Sequence, residues 1–400
     1  MRVCSSILTA IALATSLPAA LGAPLLDLDL SLGFNEGYTV ASSRGTRTRC
    51  VTGTITINAT TTKNIRYNFD MPENQTVITN TFLKYITPGG VFQRRVTVDE
   101  QAVGGTYSIG ATLCVPAEGT SPIGVQIATH GVGFDRSYWD FAPGYSYVDT
   151  AAQYGYATFF YDRLGVGTSS KPDGIQIVQA PLETAILHQL VGQLRSGGFN
   201  RQRFNKIVGV GHSFGSILTQ AVAASHPNDF DALVLTGFGT DGSGVPAFLA
   251  SQNFEIASQN QPFHFRGLSN AYVLAGSATS VQYGFFRAPN YDNAIFDAAV
   301  AARSTATLGE FFSLFAVTGP AANYTKPVAV VNGQNDFPFC QNNCSAPVDQ
   351  AQLVFPRLFP ALPVEKQFAY LAPGTGHALN LHYTAQNAFV KIQEFLKGRV

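Results

Sequence analysis

The sequence predicts an α/β fold: a mostly parallel sheet covered by helices, preceded by a β-rich extension and interrupted by a helical insertion. Three observations predict it. Between Ile123 and Thr236, short apolar runs alternate with segments of helical period, as expected of strands buried on both faces. That rhythm breaks near residue 242 and resumes at Val328. Before about Val115 the pattern is different, with polar and apolar residues alternating at period two.

The chain opens on Arg2, then the nearly charge-free stretch Val3 to Leu17, then small residues at Ala20 and Gly22. This predicts a signal peptide over residues 1–22, cleaved after Gly22, and a secreted protein. A membrane anchor is the lesser reading, because the stretch is short for a spanning helix and no basic stop-transfer flank follows. Cysteine usage fits export. Cys4 would leave with the signal, and Cys50, Cys114, Cys340 and Cys344 remain as an even set. Four cysteines allow three pairings. The expected one is Cys50–Cys114 with Cys340–Cys344, since each joins segments expected to be neighbours. Asn58, Asn74, Asn323 and Asn343 each begin an Asn-x-Ser/Thr sequon and are glycosylation candidates, Asn343 with Cys344 in its middle position.

Residues 23–106 read as the β-rich N-terminal extension. Alternation runs through Cys50 to Ile57, and turns are expected at Pro88-Gly89-Gly90 and Gly104-Gly105. Residues 107–241 form the first part of the core. Its strands are Tyr107 to Val115, Ile123 to Thr129, Tyr156 to Tyr161, Ile207 to Val210 and Ala232 to Thr236. Helices are expected over Pro181 to Leu194 and Phe214 to Ser225. Residues 242–326 form a helical lid insertion rich in Phe, including Phe248, Phe254, Phe285, Phe286 and Phe311. These rings either wall an apolar pocket or pack the cap's own interior, and the sequence leaves both open. Residues 327–400 complete the core with strands Val328 to Val331 and Lys366 to Leu371 and the helix Thr384 to Leu396.

Composition narrows the partners. The 400 residues are 46% hydrophobic and 12% charged, with a formal net charge of zero. That length suits one core with insertions. No basic patch or charge run offers a surface for nucleic acid or for stable membrane association. The expected partner is a small apolar molecule.

Gly211-His212-Ser213-Phe214-Gly215 matches G-x-S-x-G. A strand enters and a helix leaves, so Ser213 stands on a tight turn that tolerates little beside it. A serine hydroxyl needs a base to take its proton and an acid to orient that base. His226, His264, His377 and His382 follow Ser213. His377 is the expected base, because Gly374-Thr375-Gly376-His377 follows the last strand. His382 is the runner-up base and otherwise reads as a pocket or packing residue, His226 reads as a helix-end residue, and His264 as a lid residue that either lies at the surface or touches substrate. Asp336, just after the strand at 328–331, is the expected acid; Asp241 is the alternative and Asp349 a distant third. The expected oxyanion donors are the amides of Phe214 and Val132, the latter in His130-Gly131-Val132-Gly133. His130 and Asp162 read as structural. The run Gly165-Val166-Gly167 lacks the Lys-Ser/Thr of a phosphate loop.

Together these residues resemble the α/β-hydrolase superfamily from about Tyr107 to the C-terminus, outside the lid. Gly110 to Pro116, His130 to Trp139, Tyr161 to Ser169, Gly209 to Ser216 and Leu233 to Gly237 look like secreted fungal serine hydrolases of that group. The resemblance implies an α/β-hydrolase fold: a mostly parallel eight-stranded sheet covered by helices, with a cap above the serine and the extension outside the common core. The resemblance carries no substrate with it; the triad residues themselves lead to the expectation of ester, thioester or lactone hydrolysis through an acyl-enzyme on Ser213, with no metal and no organic cofactor. The same fold also carries peptide or C–C bond cleavage, lyase or cyclase chemistry. A non-catalytic binding module is the third possibility.

Overall fold

The computed structural model describes residues 31–117, 121–199 and 201–400. The expected signal peptide, with Cys4, lies outside the described residues.

The N-terminal part carries β1 (Thr39–Ser42), β2 (Thr48–Tyr67), α1 (Gln75–Ile86), α2 (Val91–Val96) and β3 (Thr97–Pro116). The core follows with β4 (Gly124–Thr129), α3 (Tyr147–Gln153), β5 (Tyr156–Tyr161), α4 (Ala180–Ser196), β6 (Ile207–His212), α5 (Phe214–Ser225) and β7 (Ala232–Thr236). The insertion holds α6 (Val245–Gln252), β8 (Glu255–Ile256), α7 (Ala257–Asn260), β9 (Tyr272–Leu274), α8 (Ala278–Phe285), α9 (Asn293–Ala301), β10 (Ala306–Thr307) and α10 (Leu308–Ser313). The chain closes with β11 (Val328–Gly333), α11 (Phe337–Cys340), α12 (Val354–Leu358), β12 (Gln367–Ala372) and α13 (Ala385–Leu396).

The main sheet has the order β1-β2-β3-β5-β4-β6-β7-β11-β12. The six strands from β5 to β12 are parallel to one another. Every residue of β4, β5, β6 and β11 is buried, which is why these strands read as unbroken apolar runs. Two helix pairs, α3 with α13 and α4 with α5, pack on the sheet.

The sheet has nine strands, where the resemblance implied eight. The additional edge strand β1 is fully exposed and pairs antiparallel with β2. The N-terminal extension is part of the sheet as well. Strand β3 runs through the expected boundary at 106/107 and pairs antiparallel with β5 over Ala111–Cys114. Strands β2 and β3 make a twenty-residue ribbon, spanning roughly 66 Å at the usual rise.

Two expected turns differ. Pro88-Gly89-Gly90 is a turn, but it joins α1 to α2 rather than two strands. Gly104-Gly105 is no turn and lies within β3. A Cβ on Gly104 would sit 2.6 Å from Cγ2 of Thr60 on β2, and one on Gly105 would meet the Tyr107 ring. These glycines make room for neighbouring side chains, the other common use of glycine inside a strand.

The lid is not purely helical, because β8, β9 and β10 form a small antiparallel sheet within it. Helix α1 braces it. Asn74 caps α1 by accepting from the Val77 amide at 3.2 Å, and Ile78, Thr81, Phe82 and Tyr85 form its buried face. Phe82 stacks on Phe254 at 4.7 Å and meets Phe311 edge-on at 5.3 Å. The Gln75 side chain donates to the Phe254 carbonyl and accepts from the Ile256 amide.

Candidate active site

Ser213 stands between the end of β6 and the start of α5, with φ 55° and ψ −119°. Few non-glycine residues adopt such a backbone, and the strain is held by close packing around it. A Cβ on Gly211 would lie 2.4 Å from Cα of Ser216, and one on Gly215 would lie 2.1 Å from the Thr129 carbonyl oxygen. Both flanking positions therefore require glycine. The turn leaves Ser213 partly exposed while its neighbours are buried.

His377 Nε2 lies 2.8 Å from Ser213 Oγ, and His377 Nδ1 lies 2.6 Å from Asp336 Oδ2. Asp336 is fully buried at the N-cap of α11, where its other oxygen accepts from the Phe339 amide at 3.1 Å. The loops that carry Asp336 and His377 touch directly, since the Asn335 amide donates to the Thr375 carbonyl at 2.8 Å. A disulfide between Cys340 and Cys344 closes the acid's loop, and a second one joins Cys50 to Cys114 across β2 and β3. Such a series can take the serine proton onto His377 and balance the resulting charge at Asp336.

The two residues expected to donate to an oxyanion lie near Ser213. Phe214 is the first helical residue of α5, so its N–H is one of the amides no helix can satisfy internally. The loop 130–133 lies against the serine, with Gly131 so close that a Cβ there would be 2.8 Å from Ser213 Cβ. Val132 is in that loop. His130 props it up: Nε2 accepts from the Arg163 amide at 3.1 Å, and Nδ1 lies 2.8 Å from the Gly131 carbonyl. Burial first, then the Arg163 charge, hold His130 neutral by pushing its pKa well down.

The other sequence candidates lie elsewhere. Asp241 accepts from the Ser243 amide at 2.9 Å, and its hydrogen bonds with Ser243 hold its pKa below the usual carboxylate value. Asp349 caps Ala351 and Gln352. His226 is exposed and stacks on His188 at 3.8 Å, and His264 is exposed in the lid. Asp162 ties the Gly165–Gly167 run by accepting from the amides of Thr168 and Arg136. Asn58, Asn74, Asn323 and Asn343 are all exposed.

Three phenylalanine rings face His377: Phe285 stacked at 5.8 Å, and Phe248 and Phe339 at 5.9 Å. Phe285 also packs edge-on to Phe134. The lid aromatics thus divide. Phe248 and Phe285 face the site, whereas Phe254 and Phe311 pack on α1. A large open cavity of about 1070 Å³ lies elsewhere, beside the β2–β3 ribbon and α4 and α5, lined by Lys63, Glu100, His188 and His226 among others. Its hydroxyls at Thr184 and Ser225 donate to helix carbonyls and His188 bonds to Asp229, in contrast to the Ser213–His377 contact.

The family described as "Alpha/beta hydrolase family" matches residues 127–390, about two thirds of the chain. The chain belongs to the alpha/beta hydrolase family. Solved structures agree on the fold of this hydrolase. An alpha/beta hydrolase fold protein from Chitinophaga pinensis is similar at a TM-score of 0.50 and 15% identity, covering 74% of this chain and 94% of that one. A soluble variant of monoglyceride lipase from Saccharomyces cerevisiae, in complex with a substrate analog, is similar at 0.51 and 14%, covering 74% and 92%. At such identities the likeness shows the fold alone. No curated protein matches the sequence.

Two residues near Ser213 carry little signal in the sequence. His212 is fully buried, stacked on Tyr138 at 4.5 Å and 5.0 Å from the His377 ring. Its Nδ1 lies 3.1 Å from Thr236 Oγ1. Only its place in the G-x-S-x-G pentapeptide could have marked it. Phe339 was hidden by its position after the acid. Among the described residues, no group of three or more His, Cys, Asp or Glu side chains is placed to hold a metal ion, and no helix is long and apolar enough to cross a membrane.

Proposed function

We propose that this protein is a secreted serine hydrolase that cleaves an ester, thioester or lactone of a small to medium apolar substrate through an acyl-enzyme. The observation that carries the reading is the hydrogen-bonded series from Ser213 Oγ through His377 to Asp336. Ser213 attacks the carbonyl carbon while His377 Nε2 takes the hydroxyl proton. The imidazolium then gives that proton to the leaving oxygen or sulfur. Asp336 orients His377 and balances its charge. The amides of Phe214 and Val132 stabilise the oxyanion as it forms. Water, deprotonated by His377, releases the acid and restores Ser213.

The rings around His377 support an apolar substrate. Phe248, Phe285 and Phe339 surround the base, and no charged side chain hydrogen-bonds to either His377 nitrogen except Asp336. An apolar acyl or alkyl group suits those rings better than a charged one. The monoglyceride lipase of similar fold is consistent with ester chemistry. Secretion and glycosylation rest on the leader-like N-terminus, the two disulfides and four exposed sequons.

A fluorophosphonate probe tests the reading. Wild-type protein should label at one site, Ser213→Ala should not, and nitrophenyl esters should be turned over with a dependence on acyl length. Folded wild-type protein that never labels would sink the serine-enzyme reading. Labelling without turnover of any ester or lactone would move the assignment to lyase or cyclase chemistry.

A further inference from the structure

We propose that His382 is a positioning residue, the acceptor that fixes the His377 loop to lid segment 285–290. The catalytic half of this proposal rests on the serine-hydrolase reading; the structural half does not.

The His382 ring is fully buried. Its Nδ1 lies 2.8 Å from the Ala378 carbonyl, which can only accept, so Nδ1 carries the proton. Nε2 is therefore a lone-pair acceptor. It receives two backbone donors: the Gly376 amide at 3.1 Å and the Arg287 amide at 3.0 Å. Gly376 immediately precedes His377. Arg287 belongs to the lid. One nitrogen thus joins the base's own loop to the insertion above it.

The rest of the contact supports the same seam. The Ala378 amide donates to the Phe285 carbonyl at 2.9 Å, and the Tyr383 amide donates to the Asn290 carbonyl at 3.1 Å. The Asn290 side chain donates to the Gly374 carbonyl at 2.8 Å. Gly376 approaches so closely that a Cβ would lie 2.8 Å from the Phe285 carbonyl oxygen. Phe286 stacks on the His382 ring at 5.5 Å, and Tyr291 meets it edge-on. Phe285, one residue before, stacks on His377 itself. This part of the lid is therefore a fixed wall carried by the base's loop.

The placement matters because proton transfer depends on His377 Nε2 staying within hydrogen-bond reach of Ser213 Oγ. Two amides that lose a buried acceptor must find another by moving the loop.

The test separates an acceptor from mere bulk. His382→Gln keeps an oxygen at about the reach of Nε2, whereas His382→Phe keeps a ring and no acceptor. Both are compared with wild type after circular dichroism shows that they fold. Two readings are taken: the second-order rate of fluorophosphonate labelling, and amide hydrogen exchange at Gly376 and Arg287. The expected result is near-wild-type labelling and slow exchange in His382→Gln. In His382→Phe, labelling should slow about 10- to 100-fold, as displacement of a reacting group by an ångström does, and both amides should exchange faster. Equal labelling and exchange in all three proteins would overturn the proposal, as would an equal loss in both variants. Wild type that protects both amides yet never labels would overturn the hydrolase reading and leave His382 no catalytic group to position. Exchange in the same samples distinguishes that failure from failure of the seam.

Discussion

Replacing Asp336 by Asn keeps an oxygen for the Phe339 amide but removes the charge behind His377. The amide can also present N–H to Nδ1, which forces the wrong imidazole tautomer. Turnover should fall about 10⁴-fold, the cost of that change in another Ser-His-Asp enzyme, while Asp241→Asn stays near wild type. The reverse pattern, read as kcat on a nitrophenyl ester, would put the acid at Asp241. Buried imidazoles set the acid response. His130, His212 and His382 all have lowered pKa values with burial as the main cause, His382 at about 4. The unfolded chain would therefore bind protons before the folded one. For His382, stability is complete above about 6.5 and is lost as pH falls from there to about 4, a change of about 3 kcal/mol. Urea midpoints at pH 7 and pH 4 check this, and His382→Gln should lose less on acidification than wild type does. That Ser213, His377 and Asp336 meet in one hydrogen-bonded series was legible because their residue types stand in the expected chain order. His382 was not, because no motif tells which loop amides need an acceptor.

At the level of elements, α1 was the least legible. Gln75–Ile86 contains Val77, Ile78 and three threonines, a composition that favours strand. Asn74 as the cap, and a face of Ile78, Thr81, Phe82 and Tyr85 at helical spacing, override it by packing on the lid. Phe82→Ala should therefore cost about 3–5 kcal/mol, whereas Leu83→Ala, on the exposed face, should change stability by less than about 0.5 kcal/mol. Calorimetry gives both numbers. Limited proteolysis of Phe82→Ala should also cut earlier within residues 242–326 than in wild type. Equal sensitivity in the two proteins would mean that α1 does not brace the insertion.

Across the whole molecule, the buried parallel strands were readable because helices cover both faces and leave an apolar run in the sequence. The β2–β3 ribbon was misread at Gly104-Gly105 because two adjacent glycines suggest a turn equally well when they merely make room for Thr60 and Tyr107. The Cys50–Cys114 bridge joins that ribbon at directly paired positions. It closes a separation of 64 residues, so replacing both cysteines by Ser should cost about 4 kcal/mol in chemical denaturation. Cys340–Cys344 spans only four residues. Its removal should slow turnover, through the Asp336 loop, more than it shifts the melting temperature.

The brace and the lid are far apart in time as well as in sequence. Helix α1 ends at Ile86, and the lid segment it supports ends at Ser313 with α10. At 5–20 residues per second, synthesis of the intervening chain takes roughly 10–45 s. Until Phe254 is made Phe82 lacks its stacking partner, and until Phe311 is made neither Phe82 nor Tyr85 has its contact with that residue. The nascent protein thus carries an incompletely covered aromatic face until the insertion emerges, and it is in this window that a chaperone would have the most to shield.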